Sequence, residues 1–353
     1  MSVFDKIKKH YQKNLPFVVY RKPNEAKVSG FFMNDDSLIF TTIFSESGFV
    51  FAPFDDNKPA ILFPIEKSNF YQEKLELPDF DRLNYSFEAD ESSKNSHIKR
   101  VEKAIDAINN NDLEKVVLSR KEEVSINDFS LESSYLELLQ RYKNALVYVW
   151  YHPKIGLWMG ATPEILLELK NSDFKTMSLA GTQRFEEGKE VVWESKELEE
   201  QEIVTQFIKH QLNEISTDLK IDATETFKAG SLLHLRTKVE GKLNPKSSLK
   251  KLIEGLHPTP AVCGFPRDAA KAFILKNENY NREFYTGFLG EINLGDEETN
   301  NKKSHLFVNL RCMEIDNNTA SIYVGGGITK DSIAKKEWQE TVNKTATMKA
   351  VLK

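Results

Sequence analysis

The chain has 353 residues, which is long enough for one large domain or two ordinary ones. Its 48 Lys and Arg residues are scattered among 53 Asp and Glu residues, for a formal net charge of −5, which argues against a nucleic-acid partner. Two cysteines, no signal-peptide core and no run of about 20 apolar residues argue against a disulfide framework, a thiolate metal site and a membrane span, and predict a cytoplasmic protein.

The predicted elements come in hairpin-like groups of strands with a few helices between them. Short apolar segments separated by turn residues fill positions 1–90 and predict an antiparallel meander. A helix is predicted at about 97–110, followed by a strand at 115–120, and further strands then cluster instead of alternating strictly with helices. This grouping predicts an α+β fold with large antiparallel sheets.

The strand at 115–120, KVVLSR, places a lysine in line with interior aliphatic residues. Lys115 shares one face of this strand with Val117 and Ser119. An edge lysine whose ammonium reaches water is the ordinary explanation, and a desolvated lysine that acts as a base is the alternative.

A long acidic helix predicted at about 189–216 carries a pair of glutamates on its apolar stripe. At about 100° per residue, Glu197 and Glu200 project onto the stripe, whereas Glu199 and Glu202 face solvent. Two carboxylates on a core-facing side are costly unless a cation pairs with them. An exposed first turn, whose acids suit the helix dipole, explains the pair without any ligand.

The last helix, predicted at about 332–351, repeats the pattern. Glu337, Glu340 and Lys344 form one column beside apolar residues that include Ile333. An ordinary surface pair between Glu340 and Lys344 is one explanation. Taken together, two helices each offer two glutamates three residues apart, and four carboxylates without a soft ligand predict a Mg²⁺ site.

Three further features predict an anion pocket. Gly325, Gly326 and Gly327 come directly after a strand, and the N–H groups of such a run can approach an anion, although a tight bend would also suit glycines. Arg311, predicted in the middle of a strand, is either a surface residue or a fork for a carboxylate. Tyr285, predicted to open a neighbouring strand, can donate its hydroxyl to the same anion.

Seven separated motifs, in this order and spacing, resemble the chorismate-utilising enzymes, and most of all the isochorismate synthases of menaquinone or siderophore biosynthesis. The motifs are KVVLSR, GATPEILL, SLAGTQR, LHPTPAVCGFPRDAA, NLRCMEI, YVGGGI and EWQETVNK. The resemblance begins near residue 95. It implies a single domain over 1–353, with a variable part at 1–94, a core at 95–353 and two antiparallel sheets stacked between helices.

The resemblance also implies roles for individual residues. Lys115 matches the base that activates water for attack at C2 of chorismate, and Glu164 matches the acid that protonates the departing C4 hydroxyl. Lys115 must then be neutral, and Glu164 must hold a proton at neutral pH. Glu200 and Glu340 match the Mg²⁺ ligands, with Glu197 and Glu337 as supporting acids. The implied substrate-binding residues are Arg311 and Tyr285 with Gly325, Gly326 and Gly327 at the enolpyruvyl carboxylate, Lys344 near the ring carboxylate, and Gly181 and Thr182 near the ring.

The expected activity is therefore that of an isomerase, the reversible Mg²⁺-dependent conversion of chorismate to isochorismate. A salicylate synthase, which also eliminates pyruvate, shares the lysine, and no single residue excludes it. A non-catalytic chorismate-binding protein is expected to lack one of the four residues Lys115, Glu164, Glu200 and Glu340, all of which are present. Aminating relatives typically lack this lysine, so no glutaminase subunit is expected. The choice between the menaquinone and siderophore pathways stays open.

Two positions depart from the pattern of the family. Gln201 stands where many relatives have His, and its place at the margin of the helix stripe predicts little effect on the metal. Cys263 stands where relatives often have Gly or Ser, and it is interpreted as a packed small residue and not as a nucleophile.

Overall fold

The computed structural model describes residues 1–77, 91–188, 191–229, 232–295 and 301–352. The strands in these ranges are β1 (Phe17–Arg21), β2 (Lys27–Met33), β3 (Phe40–Thr41), β4 (Gly48–Ala52), β5 (Ala60–Pro64), β6 (Ser68–Lys74), β7 (Lys115–Ser125), β8 (Leu146–His152), β9 (Gly156–Thr162), β10 (Ile165–Lys170), β11 (Asp173–Arg184), β12 (Ser216–Ile221), β13 (Glu225–Ala229), β14 (Leu232–Leu243), β15 (Gly264–Phe265), β16 (Phe288–Leu294), β17 (Lys303–Val308), β18 (Cys312–Asp316) and β19 (Thr319–Ile328). The helices are α1 (Val3–Gln12), α2 (Lys94–Asn109), α3 (Leu131–Arg141), α4 (Ser195–Asn213), α5 (Leu249–Leu256), α6 (Arg267–Asn277) and α7 (Ala334–Lys349).

These strands form two antiparallel sheets. The first sheet has nine strands in the order β15-β7-β19-β18-β9-β8-β1-β2-β6. The second has ten strands, in the order β12-β14-β11-β10-β17-β16-β4-β5-β3, with β13 paired to β14. The predicted α+β fold with two antiparallel sheets and helices is thereby confirmed. Among the described helices, none combines the length and the apolar character that a membrane crossing requires.

The core between the two sheets is aromatic. Phe63 of the second sheet stacks on Trp150 of the first, with ring centroids 5.3 Å apart, and Phe51 stacks on Phe284 at 4.2 Å. The predicted N-terminal meander is wrong, because β1, β2 and β6 join the first sheet whereas β3, β4 and β5 join the second. β1, β4 and β5 are buried along their whole length, so their apolar segments fit either sheet equally well.

Two segments of the chain cross from one sheet to the other at the same end of the core. β9 of the first sheet leads through Pro163 and Glu164 into β10 of the second, and β17 of the second leads through residues 309–311 into β18 of the first. Arg311 has a positive φ of 47°, a conformation that no regular strand contains. The prediction that Arg311 lies in the middle of a strand is therefore wrong.

The side chain of Asn309 anchors this crossover. Its Oδ1 accepts a hydrogen bond of 2.6 Å from the Tyr148 hydroxyl, and its Nδ2 donates one of 3.0 Å to the Phe284 carbonyl. These side-chain hydrogen bonds take the place of the backbone hydrogen bonds between strands that end here. The chain can therefore turn at Arg311 while the buried Tyr148 hydroxyl and Phe284 carbonyl stay hydrogen-bonded.

The helix ends also differ from the predictions. α4 begins at Ser195, since Glu194 and Glu197 form a capping box there. Ile333, predicted beside the acidic column of the last helix, is the N-cap of α7 and is 53% exposed, so it does not belong to the apolar stripe.

A buried arginine ties strand β7 of the first sheet to the segments around Val262 and Glu278. Arg282 forms an ion pair of 2.7 Å with Glu278, and it donates to the carbonyls of Val117 on β7 (2.7 Å) and Val262 (3.0 Å). Glu278 also accepts hydrogen bonds of 2.7 Å from the N–H and the hydroxyl of Ser119. Both charged side chains are almost fully buried.

Replacing Arg282 with methionine is expected to lower the free energy of unfolding by about 3–5 kcal/mol, because Glu278 would remain buried as an unpaired charge. Urea denaturation measures this change. Arg236→Met is the matched control, since Arg236 pairs with the half-exposed Glu225 and its loss is expected to cost less than about 1 kcal/mol. Equal losses in both variants would contradict a special role for the buried pair.

Candidate active site

A cavity lies at the end of the core where the two crossovers meet α4 and α7. Most of the residues predicted for the site line it: Glu164, Gly181, Thr182, Glu197, Glu200, Tyr285, Arg311, Gly325, Gly326, Gly327, Glu340 and Lys344. Lys115 and Glu337 lie behind the wall, and each forms an ion pair with a residue on it, namely Glu200 and Lys196.

Lys115 is the first residue of β7 and has no exposed surface. Its Nζ lies 2.9 Å from Oε1 of Glu200. The neighbouring strand leaves room for this pair only because residue 327 is glycine: a Cβ there would overlap the Glu200 carboxylate and would lie 3.1 Å from Cε of Lys115. The interpretation of Lys115 as an edge lysine in contact with water is therefore wrong.

Glu164 sits in the first crossover and is only 4% exposed. Burial raises the pKa of its carboxyl to about 8, even though the charges of Lys115 and Arg311 act in the opposite direction. The carboxyl is therefore mostly protonated at neutral pH, so it is able to donate a proton inside the cavity.

Arg311 is held by a histidine that the sequence analysis did not single out. Its Nη2 donates to Nε2 of His234 over 3.0 Å, and Nδ1 of the same ring lies 3.0 Å from the Gly181 carbonyl. Since the guanidinium can only donate, His234 is neutral with its proton on Nδ1. Burial and then the charge of Arg311 lower its pKa to about 3, in agreement with this tautomer. A lone histidine in strand β14 carries no sequence signal that would have revealed this role.

The glycines Gly325, Gly326 and Gly327 lie inside β19 and not after it, which corrects the prediction of a loop behind the strand. They pair with β7 along one edge, whereas the pairing of β18 with β19 ends at Tyr323. Their other edge therefore borders the cavity, where Nζ of Lys344 already donates to the Gly325 carbonyl over 3.0 Å.

Three lysines neutralise three glutamates around these glycines. Besides the Lys115–Glu200 pair, Lys196 lies 2.5 Å from Glu337 and Lys344 lies 2.6 Å from Glu340. Burial raises the pKa of Glu200, but the lysines, above all Lys115, outweigh this effect and leave it below its ordinary value. Burial raises the pKa of Glu337, which Lys196 offsets only in part. Lys196 was missed by the sequence analysis, although it lies one turn before Glu200 on the same side of α4.

Glu197 and Gln201, which lie near Glu200 on α4, both help to hold the helix in place. Oε2 of Glu197 accepts a hydrogen bond of 3.1 Å from the Glu194 N–H, so this acid caps its own helix while its side chain also lines the cavity. Gln201 was placed at the margin of the stripe, but it is almost fully buried. Its amide binds the N–H of Ala180 and the hydroxyl of Thr237, both at 2.9 Å, and thereby fixes the helix beside Glu200.

The donor set around Gly326 fits a hard divalent cation. Oε2 of Glu337 is buried without a well-formed hydrogen bond, and it converges with Oε1 of Glu340: both lie within 3.7 Å of the position that a Cβ on Gly326 would take. The described residues contain no group of three His, Cys, Asp or Glu side chains that could hold a metal, and Lys344 already pairs with Oε1 of Glu340 at 2.6 Å. All donors are carboxylate oxygens, which Mg²⁺ prefers.

Comparison with known proteins relates the chain to one family. A family profile described as chorismate binding enzyme matches residues 61–353, which extends the predicted resemblance toward the N-terminus. Isochorismate synthase EntC of Escherichia coli (strain K12) is 33% identical over 247 residues, covering 67% of this chain and 61% of EntC. Isochorismate synthase MenF of the same organism is 29% identical over 262 residues, covering 71% of this chain and 59% of MenF. The chain thus matches less than two thirds of the length of these relatives.

Solved structures share the fold over nearly the whole chain. DhbC from Bacillus anthracis superposes with a TM-score of 0.81 at 24% identity, covering 99% of each chain. The menaquinone-specific isochorismate synthase MenF from Escherichia coli superposes with a TM-score of 0.77 at 20% identity, covering 96% of this chain and 89% of MenF.

Proposed function

The chain belongs to the chorismate binding enzyme family, and on this premise we propose that it is an isochorismate synthase, a Mg²⁺-dependent isomerase that converts chorismate reversibly to isochorismate. The observation that carries the proposal is that three groups meet at one cavity. They are the buried amine of Lys115, the buried carboxyl of Glu164, whose pKa is raised to about 8, and the guanidinium of Arg311. The names of the relatives agree with this activity.

Lys115 and Glu164 supply the proton transfers. To act as the base, Lys115 must first release the proton of the ammonium that pairs with Glu200 in this structure. The neutral amine then accepts a proton from the water that attacks C2, the double bonds of the ring shift, and Glu164 donates its proton to the C4 hydroxyl, which leaves as water. Water is a poor nucleophile and hydroxide a poor leaving group, so both transfers accelerate the reaction. General acid–base help is worth about 10²- to 10⁴-fold for each group.

Arg311 and its neighbours anchor the enolpyruvyl carboxylate of the substrate. The guanidinium is a planar donor whose direction His234 sets, and the Tyr285 hydroxyl and the backbone edge of Gly325, Gly326 and Gly327 border the same space. A neutral histidine beside Arg311 leaves the positive charge of the guanidinium available to an anion, whereas a carboxylate in that position would compete with the substrate.

Glu200 and Glu340 would hold the Mg²⁺ ion, with Glu197 and Glu337 in support, and the bound ion would orient the ring carboxylate and balance its charge. In the protein without metal or substrate, where Glu164 is protonated and Lys115 is still charged in its ion pair, these four carboxylates face the four cationic groups Lys115, Lys196, Arg311 and Lys344. A substrate with two carboxylates then adds two negative charges, which one divalent cation balances.

Removing the metal is expected to abolish turnover. Purified protein treated with EDTA should lose its conversion of chorismate, and an excess of Mg²⁺ should restore it. Without the ion, the acid cluster would repel the ring carboxylate; this cluster consists of Glu197, Glu200, Glu337 and Glu340. Product formation followed by chromatography measures both states. Turnover that continues unchanged in EDTA would contradict the assignment of these carboxylates to a metal.

Product analysis with chorismate and Mg²⁺ tests the function itself and separates it from the alternatives. We expect isochorismate to accumulate to a mixture with chorismate, and no salicylate, which is fluorescent. Salicylate and pyruvate among the products would make the protein a salicylate synthase. Binding of chorismate without any product would make it a non-catalytic binding protein.

A further inference from the structure

Lys196 differs from Lys115 and Lys344, the other two lysines of the acid cluster, in where its ammonium can go when a cation binds its partner carboxylate. Its Nζ donates to Oε1 of Glu337 over 2.5 Å, and its side chain is 21% exposed. Lys115 is fully buried, so its ammonium cannot move out into bulk solvent, and Lys344 keeps the Gly325 carbonyl as a second acceptor at 3.0 Å. The side chain of Lys344 is also 21% exposed, but the Gly325 carbonyl holds its ammonium in the cavity, so of these three Lys196 is the lysine best placed to exchange its carboxylate for solvent.

The position of Lys196 also places its charge close to the whole cluster. Glu337, and after it Glu200 and Glu340, raise the pKa of the Lys196 ammonium against the effect of burial, so the amine stays charged beside these acids. A divalent cation in the same cluster would stand near this ammonium, and like charges at a partly buried site repel each other strongly. The cation and the ammonium therefore compete for the same carboxylates.

We propose that Lys196 is a displaceable internal counter-ion of the acid cluster: it holds Oε1 of Glu337 in the metal-free protein, and its ammonium moves toward solvent when a divalent cation binds the same carboxylate through the free Oε2. The inference rests on the proposed function, since it takes the same cluster as the metal site. It assigns to Lys196 control over the affinity for the cation and not a part in the proton transfers. In the absence of metal, the same pair keeps the buried Glu337 neutralised.

The test is the affinity of the substrate-free protein for Mg²⁺, measured by calorimetry, with Mn²⁺ followed by electron paramagnetic resonance as a second probe. Lys196→Met is expected to bind Mg²⁺ at least about tenfold more tightly than the unmodified protein, because the competing charge is gone. Lys196→Arg keeps that charge and should stay within about twofold of the unmodified protein.

Lys330→Met is the matched control for a general electrostatic effect. Lys330 is exposed and lies 4.0 Å from Glu199 on the outer side of α4, so its loss removes one positive charge near the helix without touching the cavity. The affinity of the Lys330→Met variant for Mg²⁺ should stay within about twofold of that of the unmodified protein. Lys196→Gln serves as a second neutral variant, and circular dichroism establishes that each variant is folded.

Unchanged or weaker Mg²⁺ binding in both neutral variants would overturn the inference, and so would an equal gain in Lys330→Met. Turnover of chorismate by the unmodified protein in the presence of Mg²⁺, measured on the same preparation, separates this failure from failure of the proposed function. If turnover needs Mg²⁺ but the neutral variants bind it no more tightly, only the role of Lys196 is lost. If no variant binds Mg²⁺ and turnover persists in EDTA, the metal site and the inference fall together.

Discussion

Lys115→Ala is expected to reduce the conversion of chorismate by about 10²- to 10⁴-fold or to background, because the variant lacks the amine that takes the proton of the attacking water. Lys115 has no exposed surface, and its Nζ lies 2.9 Å from Glu200. The neighbouring strand β19 leaves room for this pair because residue 327 is glycine. The kcat of the variant, followed by product chromatography, measures the loss.

The same substitution removes the partner of Glu200, so part of the effect can be structural. Thermal unfolding with and without Mg²⁺ separates the two effects, since a cation bound to Glu200 should restore some of the lost stability. Lys121→Ala is the control on the same strand: Lys121 is partly exposed and pairs with Glu123, and its loss should leave kcat unchanged. A folded Lys115→Ala protein with near-normal turnover would remove the assignment of the base.

Glu164→Gln is expected to lower kcat by about 10²- to 10⁴-fold with little change in KM, because the amide keeps the shape of the carboxyl but cannot donate the proton that the C4 hydroxyl needs. In the unmodified protein the acid form is required. Since the pKa of Glu164 is raised to about 8, activity should fall as the pH rises through this value. Profiles of kcat/KM against pH measure both effects.

The residual activity of Glu164→Gln should lack this alkaline limb, because the group that titrates is gone. Glu168→Gln is the matched control: Glu168 lies on β10, the strand that follows Glu164, is partly exposed and pairs with His305 at 3.0 Å, away from the cavity. Glu168→Gln should keep both the kcat of the unmodified protein and the fall of activity at alkaline pH. A Glu164→Gln protein with normal kcat and a raised KM would make Glu164 a residue that positions the substrate instead of an acid.

Local periodicity predicted the elements of the site well. Glu199 and Glu202 are exposed on α4, whereas Glu200 faces the cavity, as projection along the helix predicted. The antiparallel sheets follow from strands that occur in hairpin-like groups. The motifs around Lys115, Glu164 and the glycines predicted the family, because they combine residue type, order and spacing over most of the chain.

The errors concern places where the chain changes sheets. Arg311 was predicted in the middle of a strand, but it lies in a crossover whose course depends on distant groups such as Tyr148 and the Phe284 carbonyl, which bind Asn309. His234 and Lys196 were overlooked for a related reason: the partner of His234 is 77 residues away along the chain, and that of Lys196 is 141 residues away.

The sequence by itself therefore determined which faces of α4, α7 and β7 carry charged side chains, since the repeat of a helix or strand is set by neighbouring residues. Only the tertiary structure decided which lysine neutralises which glutamate, and that Glu164 holds its proton. Ion-pair partners and protonation states depend on burial and on charges a few ångströms away, and folding brings these together from segments far apart in the chain.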